Sequence, residues 1–81
     1  MPAIYVLDEP EVRALVTGSR GVPGRRVIDL KNGYFRIESD DELVFDRKAL
    51  GFKPAVWYSA FAGGLKGTIV QFDRDAVRVV A

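Results

Sequence analysis

The chain is predicted to be a small single α+β domain over residues 1–81. The expected architecture is about five mostly antiparallel strands in a twisted or barrel-like sheet, with one N-terminal helix and one central apolar helix. Three observations lead to it. Residues 7–18 carry the start signals and the apolar period of a short amphipathic helix. Two alternating segments fold back on themselves, one at Asn32-Gly33 and one at Asp73–Asp75. Between them, Pro54 to Leu65 reads PAVWYSAFAGGL, an uncharged stretch that holds the only tryptophan and is fenced by Lys53 and Lys66.

The elements follow in order. Ala3 to Leu7 reads as a short strand. Asp8 is placed as an N-cap with Glu11 three residues on, a capping-box spacing, and Leu7 and Val12 stand at the hydrophobic-staple positions. Pro10 suits the first turn, and Val12, Leu15 and Val16 share one face, so a helix is expected over about residues 9–17 with Gly18 closing it. Gly18 to Gly24 (GSRGVPG) is a loop.

Asn32-Gly33 predicts a two-residue type I′ hairpin, because both positions tolerate positive φ. That turn pairs Lys31 with Tyr34, Leu30 with Phe35, Asp29 with Arg36 and Ile28 with Ile37. Ile28, Leu30, Phe35 and Ile37 then share the core face, and Asp29 and Arg36 form a cross-strand ion pair. Leu43 to Phe45 is read as a third strand completing a meander. Asp46 caps one helical turn, Arg47 to Leu50, closed by Gly51.

Pro54 opens the central helix, expected over 54–62. Trp57, Phe61 and Leu65 recur at every fourth position, while Ala55, Ser59 and Ala62 line the opposite face with small residues. A helix apolar all round is usually buried. Thr68–Phe72 and Ala76–Val80 form the second hairpin. Pairing Phe72 with Val77 and Val70 with Val79 puts these four on one face, and Gln71 meets Arg78 on the other.

Composition narrows the chemistry. The chain is 48% hydrophobic and 28% charged, in the range of soluble globular domains. It has 12 basic and 11 acidic side chains, so no overall field steers it toward nucleic acid or an anionic membrane. It has no Cys, which removes disulfides, thiolate nucleophiles and Cys-ligated metals. It has no His, which removes the commonest general base and transition-metal ligand. Serine–histidine and cysteine–histidine machinery therefore cannot be assembled from this chain. MPAIYVLDEP lacks the basic and apolar regions of a secretory signal. The run at 54–65 is shorter than the roughly 20 residues of a membrane span. A cytoplasmic location is expected.

Several residue groups invite a functional reading. Tyr58, Trp57, Phe52 and Tyr34 are the candidate partner-binding residues, because aromatics anchor interfaces. Tyr58 stands off the Trp57/Phe61 stripe and so is the one expected to reach solvent. The same aromatics also build small cores, which is the default for Trp57 and Phe61. Arg20, Arg25 and Arg26 in RGVPGRR, with Lys31 and Arg36, could contact phosphates. A solvated loop explains these arginines as well, and the segment matches no phosphate-binding fingerprint.

Glu38, Asp40, Asp41 and Glu42 make an acidic turn without calcium-loop spacing, so no metal site is expected. Glu9 and Glu11 are explained by their place at a helix start. Gly63, Gly64 and Gly67 follow a helix instead of opening one, where the dipole disfavours an anion.

No catalytic residue or cofactor is assigned. The favoured expectation is a non-catalytic protein-interaction module that self-associates. One alternative is a nucleic-acid-binding module using the Arg20–Arg26 loop. Another is a small-molecule-binding or enzyme-accessory domain with a pocket beside Trp57 and Tyr58.

Overall fold

A computed structural model describes all 81 residues. It is an α+β domain with seven strands and three short helices. In order these are β1 (Ala3–Leu7), a 3-10 turn (Pro10–Val12), α1 (Arg13–Ser19), β2 (Arg25–Asp29), β3 (Tyr34–Ser39) and β4 (Glu42–Asp46). Then come α2 (Arg47–Leu50), α3 (Pro54–Ala60), β5 (Leu65–Lys66), β6 (Thr68–Phe72) and β7 (Ala76–Val80).

The strands do not form one sheet or a closed barrel. They make two open antiparallel sheets, ordered β2-β3-β1-β5 and β4-β7-β6. Leu43–Phe45 does lie in a strand, but that strand does not complete a meander on β3. It crosses to the second sheet, where Phe45 is opposite Val77 and Leu43 opposite Val79. Both sheets turn one face to a common core. The first supplies Ile4, Val6 and Ile37, the second Leu43, Phe45, Val77 and Val79, and the helices add Leu15, Val16, Trp57 and Phe61.

The first hairpin departs from the expected register by one residue. Val27 is opposite Ile37, Ile28 opposite Arg36 and Asp29 opposite Phe35. The cause lies in the loop. Lys31 itself takes a left-handed backbone (φ 59°), as does Gly33 (φ 91°), so the loop is three residues long and Leu30 faces Tyr34. Asp29 Oδ1 accepts from Lys31 N at 2.8 Å and Asn32 Oδ1 from Tyr34 N at 3.2 Å, two side-chain bonds that hold this longer loop. A one-residue slip exchanges the faces. Ile28 therefore lies on the outer face, 40% exposed, and Val27 packs against the core in its place. The expected Asp29–Arg36 pair is replaced by Arg36 with Glu38.

The N-terminal helix also starts differently. No side-chain cap forms at either the 3-10 turn or α1. Asp8 instead accepts from Arg13 Nη2 at 2.6 Å, and its own N–H goes to the Gly33 carbonyl, so the chain enters through a 3-10 turn and the α-helix begins at Arg13. It runs on through Gly18 to Ser19. The left-handed residue is Gly21, while Gly18 backs onto Leu50.

Other local readings hold. Asp46 Oδ1 accepts from Lys48 N and Ala49 N, and Gly51 closes α2 at φ 77°. In the second hairpin Phe72 is opposite Val77 and Gln71 opposite Arg78. The third pair is shifted: Val79 faces Ile69, because Val70 is the extra residue of a β-bulge. The central helix α3 ends at Ala60, before the expected 62, and Ala55 and Ser59 on its small side, with Ala62 beyond it, are open to solvent, so it is buried on one side only. No helix is long and apolar enough to cross a membrane.

Two exposed carboxylates set an acid limit. Hydrogen bonds from Arg78 hold the Glu42 carboxyl below its ordinary 4.5. Asp73 is held below 3.8, first by the Gln71 amide and then by the backbone N–H groups of Ala76 and Asp75. A carboxyl with a depressed folded pKa stabilises the fold above its unfolded value, and that contribution is lost as pH falls through the folded value. Thermal melts should therefore fall as pH drops below 4.5 and then 3.8. A Glu42→Gln/Asp73→Asn chain should show a flatter acid limb, and an unchanged limb would refute the assignment.

Candidate functional site

Four sheet edges are available to a partner, and three of them are obstructed. β2 carries Arg25, Arg26 and Asp29 along its edge. β5 is two residues long. β4 is flanked by Glu42 and Asp46, and its central carbonyl, that of Val44, already accepts from Arg25 Nη2. Charges, shortness and coverage are the usual ways in which proteins blunt sheet edges.

β6 has none of the three. All five of its residues, Thr68 to Phe72, are exposed, and no charge falls between Lys66 and Asp73. Its one blunting feature is the bulge at Val70, which disturbs the edge locally.

Apolar surface concentrates at the same place. Of the eight large hydrophobic side chains exposed on the molecule, three lie on β6: Ile69 (43%), Val70 (54%) and Phe72 (40%). A fourth, Tyr58 (50%), packs its ring 5.7 Å from that of Phe72. Phe72 in turn meets Phe61 at 5.6 Å, and Phe61 meets Trp57 edge to face at 4.9 Å. An aromatic series thus runs from the interior out to β6. Trp57 Nε1 donates to the Asp73 carbonyl at 2.7 Å, tying the turn after β6 to α3.

The four candidate aromatics separate. Tyr58 is exposed, as its place off the helical stripe suggested. Trp57 (0%) and Phe52 (6%) belong to the core and present no surface to a partner. Trp57 lies between Phe52 and Phe61, so the tryptophan builds the interior. Tyr34 is half-buried on β3, in the first sheet, with its ring against Gly63.

Tyr34 lines the single cavity, about 240 Å³, together with Leu7, Glu9, Glu11 and Ser59. Neither Trp57 nor Tyr58 lines it, while the residues that follow them on α3, Ser59 and Ala60, do.

The basic residues are largely spoken for. Arg25 donates to Ser19 Oγ and the Val44 carbonyl and lies 4.7 Å over the Phe45 ring, and burial lowers its pKa. Arg26 lies 3.0 Å from both Glu38 and Asp40. Arg36 lies 3.5 Å from Glu38 and 5.9 Å from the Tyr5 ring centroid. Arg26 and Arg36 are therefore brought together around one buried carboxylate, while Arg20 and Lys31 join no ion pair. The acidic turn is engaged in the same way: Glu38 and Asp40 by Arg26, and Glu42 by Arg78.

Ile69, Val70 and Phe72 escaped the sequence reading as surface residues, since alternation alone set Val70 and Phe72 on one face with Val77 and Val79. The signal that marks them is the uncharged run Gly67–Phe72 between Lys66 and Asp73. No protein-family model matches the chain, and no curated protein is detectably similar to it in sequence.

Proposed function

We propose that the protein is a non-catalytic interaction module that self-associates through the β6 edge and the Tyr58–Phe72 patch beside it. One observation carries this reading: the one sheet edge free of charge, shortness and coverage coincides with half of the molecule's exposed large hydrophobic side chains. An open edge offers unpaired backbone donors and acceptors for affinity, and flanking side chains supply specificity. The absence of His and Cys leaves little chemistry to compete with this role.

Four roughly half-exposed large side chains present on the order of 300–400 Å² of apolar surface, comparable to the largest functional patch on many monomers. That is below the roughly 800 Å² per partner of a stable complex. The association is therefore reversible and depends on concentration. Light scattering after size exclusion should show a mass that rises from monomer toward dimer as the protein is concentrated. Val70→Lys places a charge at a 54%-exposed edge position. It should abolish the rise while changing stability by less than about 0.5 kcal/mol. A wild-type chain that stays monomeric at every concentration would overturn the proposal.

A further inference from the structure

We infer that the cavity between the 3-10 turn and the end of α3 binds a small organic cation, a primary ammonium carried on a short alkyl chain. The site is separate from β6 and does not depend on the self-association reading.

The lining sorts by chemistry. Glu9 and Glu11 supply its only full charges, and no Lys or Arg lines it. Leu7, Val12, Ala60 and the Tyr34 ring supply apolar wall. Both glutamates are exposed, and neither joins an ion pair. Capping does not occupy them either, since no side-chain cap forms at the 3-10 turn or at α1. The next carboxylate along the chain, Asp8, is already matched by Arg13 at 2.6 Å. Lys31 stands on the hairpin loop whose Gly33 carbonyl accepts from Asp8 N, and it pairs with neither glutamate. Unmatched negative charge thus borders one concave surface on a chain whose net charge is +1.

Size and lining select the ligand. At about 240 Å³ the cavity is smaller than the roughly 300–1,000 Å³ of sites for drug-sized molecules, so it takes a group of few atoms. A calcium ion takes about six to eight oxygen ligands, which two carboxylates backed by hydrocarbon do not provide. An alkylammonium fits both halves of the lining. Its N–H donors make charge-assisted bonds to Glu9 and Glu11, and its chain lies on Leu7 and Val12. The Tyr34 ring adds a cation–π attraction. The wall is fixed before a ligand arrives. Val12 and Ala60 are buried, and the Tyr34 ring rests against Gly63, where an added methyl would lie 3.3 Å from Cε1.

Titration of the isotope-labelled chain with n-butylammonium chloride at constant ionic strength tests this, read at the Gly63 and Tyr34 amide resonances. A ligand of so few atoms should saturate at about millimolar concentration. n-Butanol, which lacks the charge, should bind about tenfold more weakly or worse. Glu9→Gln/Glu11→Gln should weaken n-butylammonium binding about tenfold or more and keep the melting temperature within about 4 °C. Asp41→Asn/Asp75→Asn removes the same net charge from exposed, unpaired carboxylates outside the cavity, and should leave binding unchanged. Nα-Acetyl-lysine methylamide separates two sources of the cation. Binding as tight as that of n-butylammonium supports the site and assigns it a lysine side chain of a partner; markedly weaker binding supports the site and assigns it a free amine. No saturable shift up to roughly 100 mM would overturn the proposal. So would an equal response to n-butanol, or equal weakening by the two double variants. Self-association through β6 stands or falls separately.

Discussion

Trp57→Ala should cost about 3–5 kcal/mol, the range for truncating a buried Trp or Phe. Small domains have only about 0.05–0.15 kcal/mol of net stability per residue, so this change consumes much of what the chain has. Trp57 has no exposed surface, packs edge to face on Phe61 and lies 6.1 Å from Phe52. Its indole N–H also satisfies the Asp73 carbonyl. Removal opens a cavity and frees the turn between β6 and β7 together. Because Phe72 leans on Phe61, the exposed Tyr58–Phe72 patch loosens with the core. Urea unfolding followed by far-ultraviolet circular dichroism is the right measurement, since the variant has lost the only tryptophan. Trp57→Phe keeps most of the bulk and loses the hydrogen bond, and should cost less than half as much. A Trp57→Ala midpoint equal to the wild type would refute the placement of this residue at the centre of the core.

Gly67→Ala should cost about 2–5 kcal/mol, combining backbone strain with an unrelievable clash. Gly67 sits at φ 120°, between β5 of the first sheet and β6 of the second. A methyl group there would run into the Val80 carbonyl oxygen, with Val79 Cγ1 at 3.1 Å and Pro2 Cβ at 3.4 Å close behind. The Val80 carbonyl is backbone of a paired strand and cannot swing away. Gly24→Ala is the control: its φ is 83°, yet nothing lies within 4 Å of an added methyl, so it isolates the conformational cost of about 1 kcal/mol. Thermal melts of the two variants should differ by at least roughly 4 °C, at about 4–8 °C per kcal/mol for a domain of this size. Equal melting temperatures would show that the crossing between sheets tolerates the clash.

What the sequence made legible was local chemistry. Asp46 capping α2, Gly51 closing it and Pro54 opening α3 each depend on residues a few positions apart, and each is found as read. Tyr58 was legible for a similar reason, since its angle on one helix decides its exposure. The failures share a different cause. Asn32-Gly33 marked the turn but not which residues would take positive φ, and Lys31 doing so displaced the register by one. The capping box at Asp8 lost to Arg13, a partner five residues away. The division into two sheets depends on β4 pairing with β7, some thirty residues further along the chain, and no local pattern encodes that choice. For the same reason the β6 edge was invisible: a strand is an edge because nothing pairs beyond it, which is a property of the whole topology.

The Arg25 guanidinium bears on how far the proposed self-association can go. By donating to the Val44 carbonyl it occupies the central acceptor on the outer side of β4, the strand opposite β6 in the same sheet. A sheet open on both sides could keep recruiting copies and lengthen into a filament, as exposed strands do in fibrous aggregates. A sheet with one sealed margin runs out of places to grow once the other is taken. A chain that associates through β6 as proposed would then stop at a pair instead of polymerising, held there by an arginine from the neighbouring sheet.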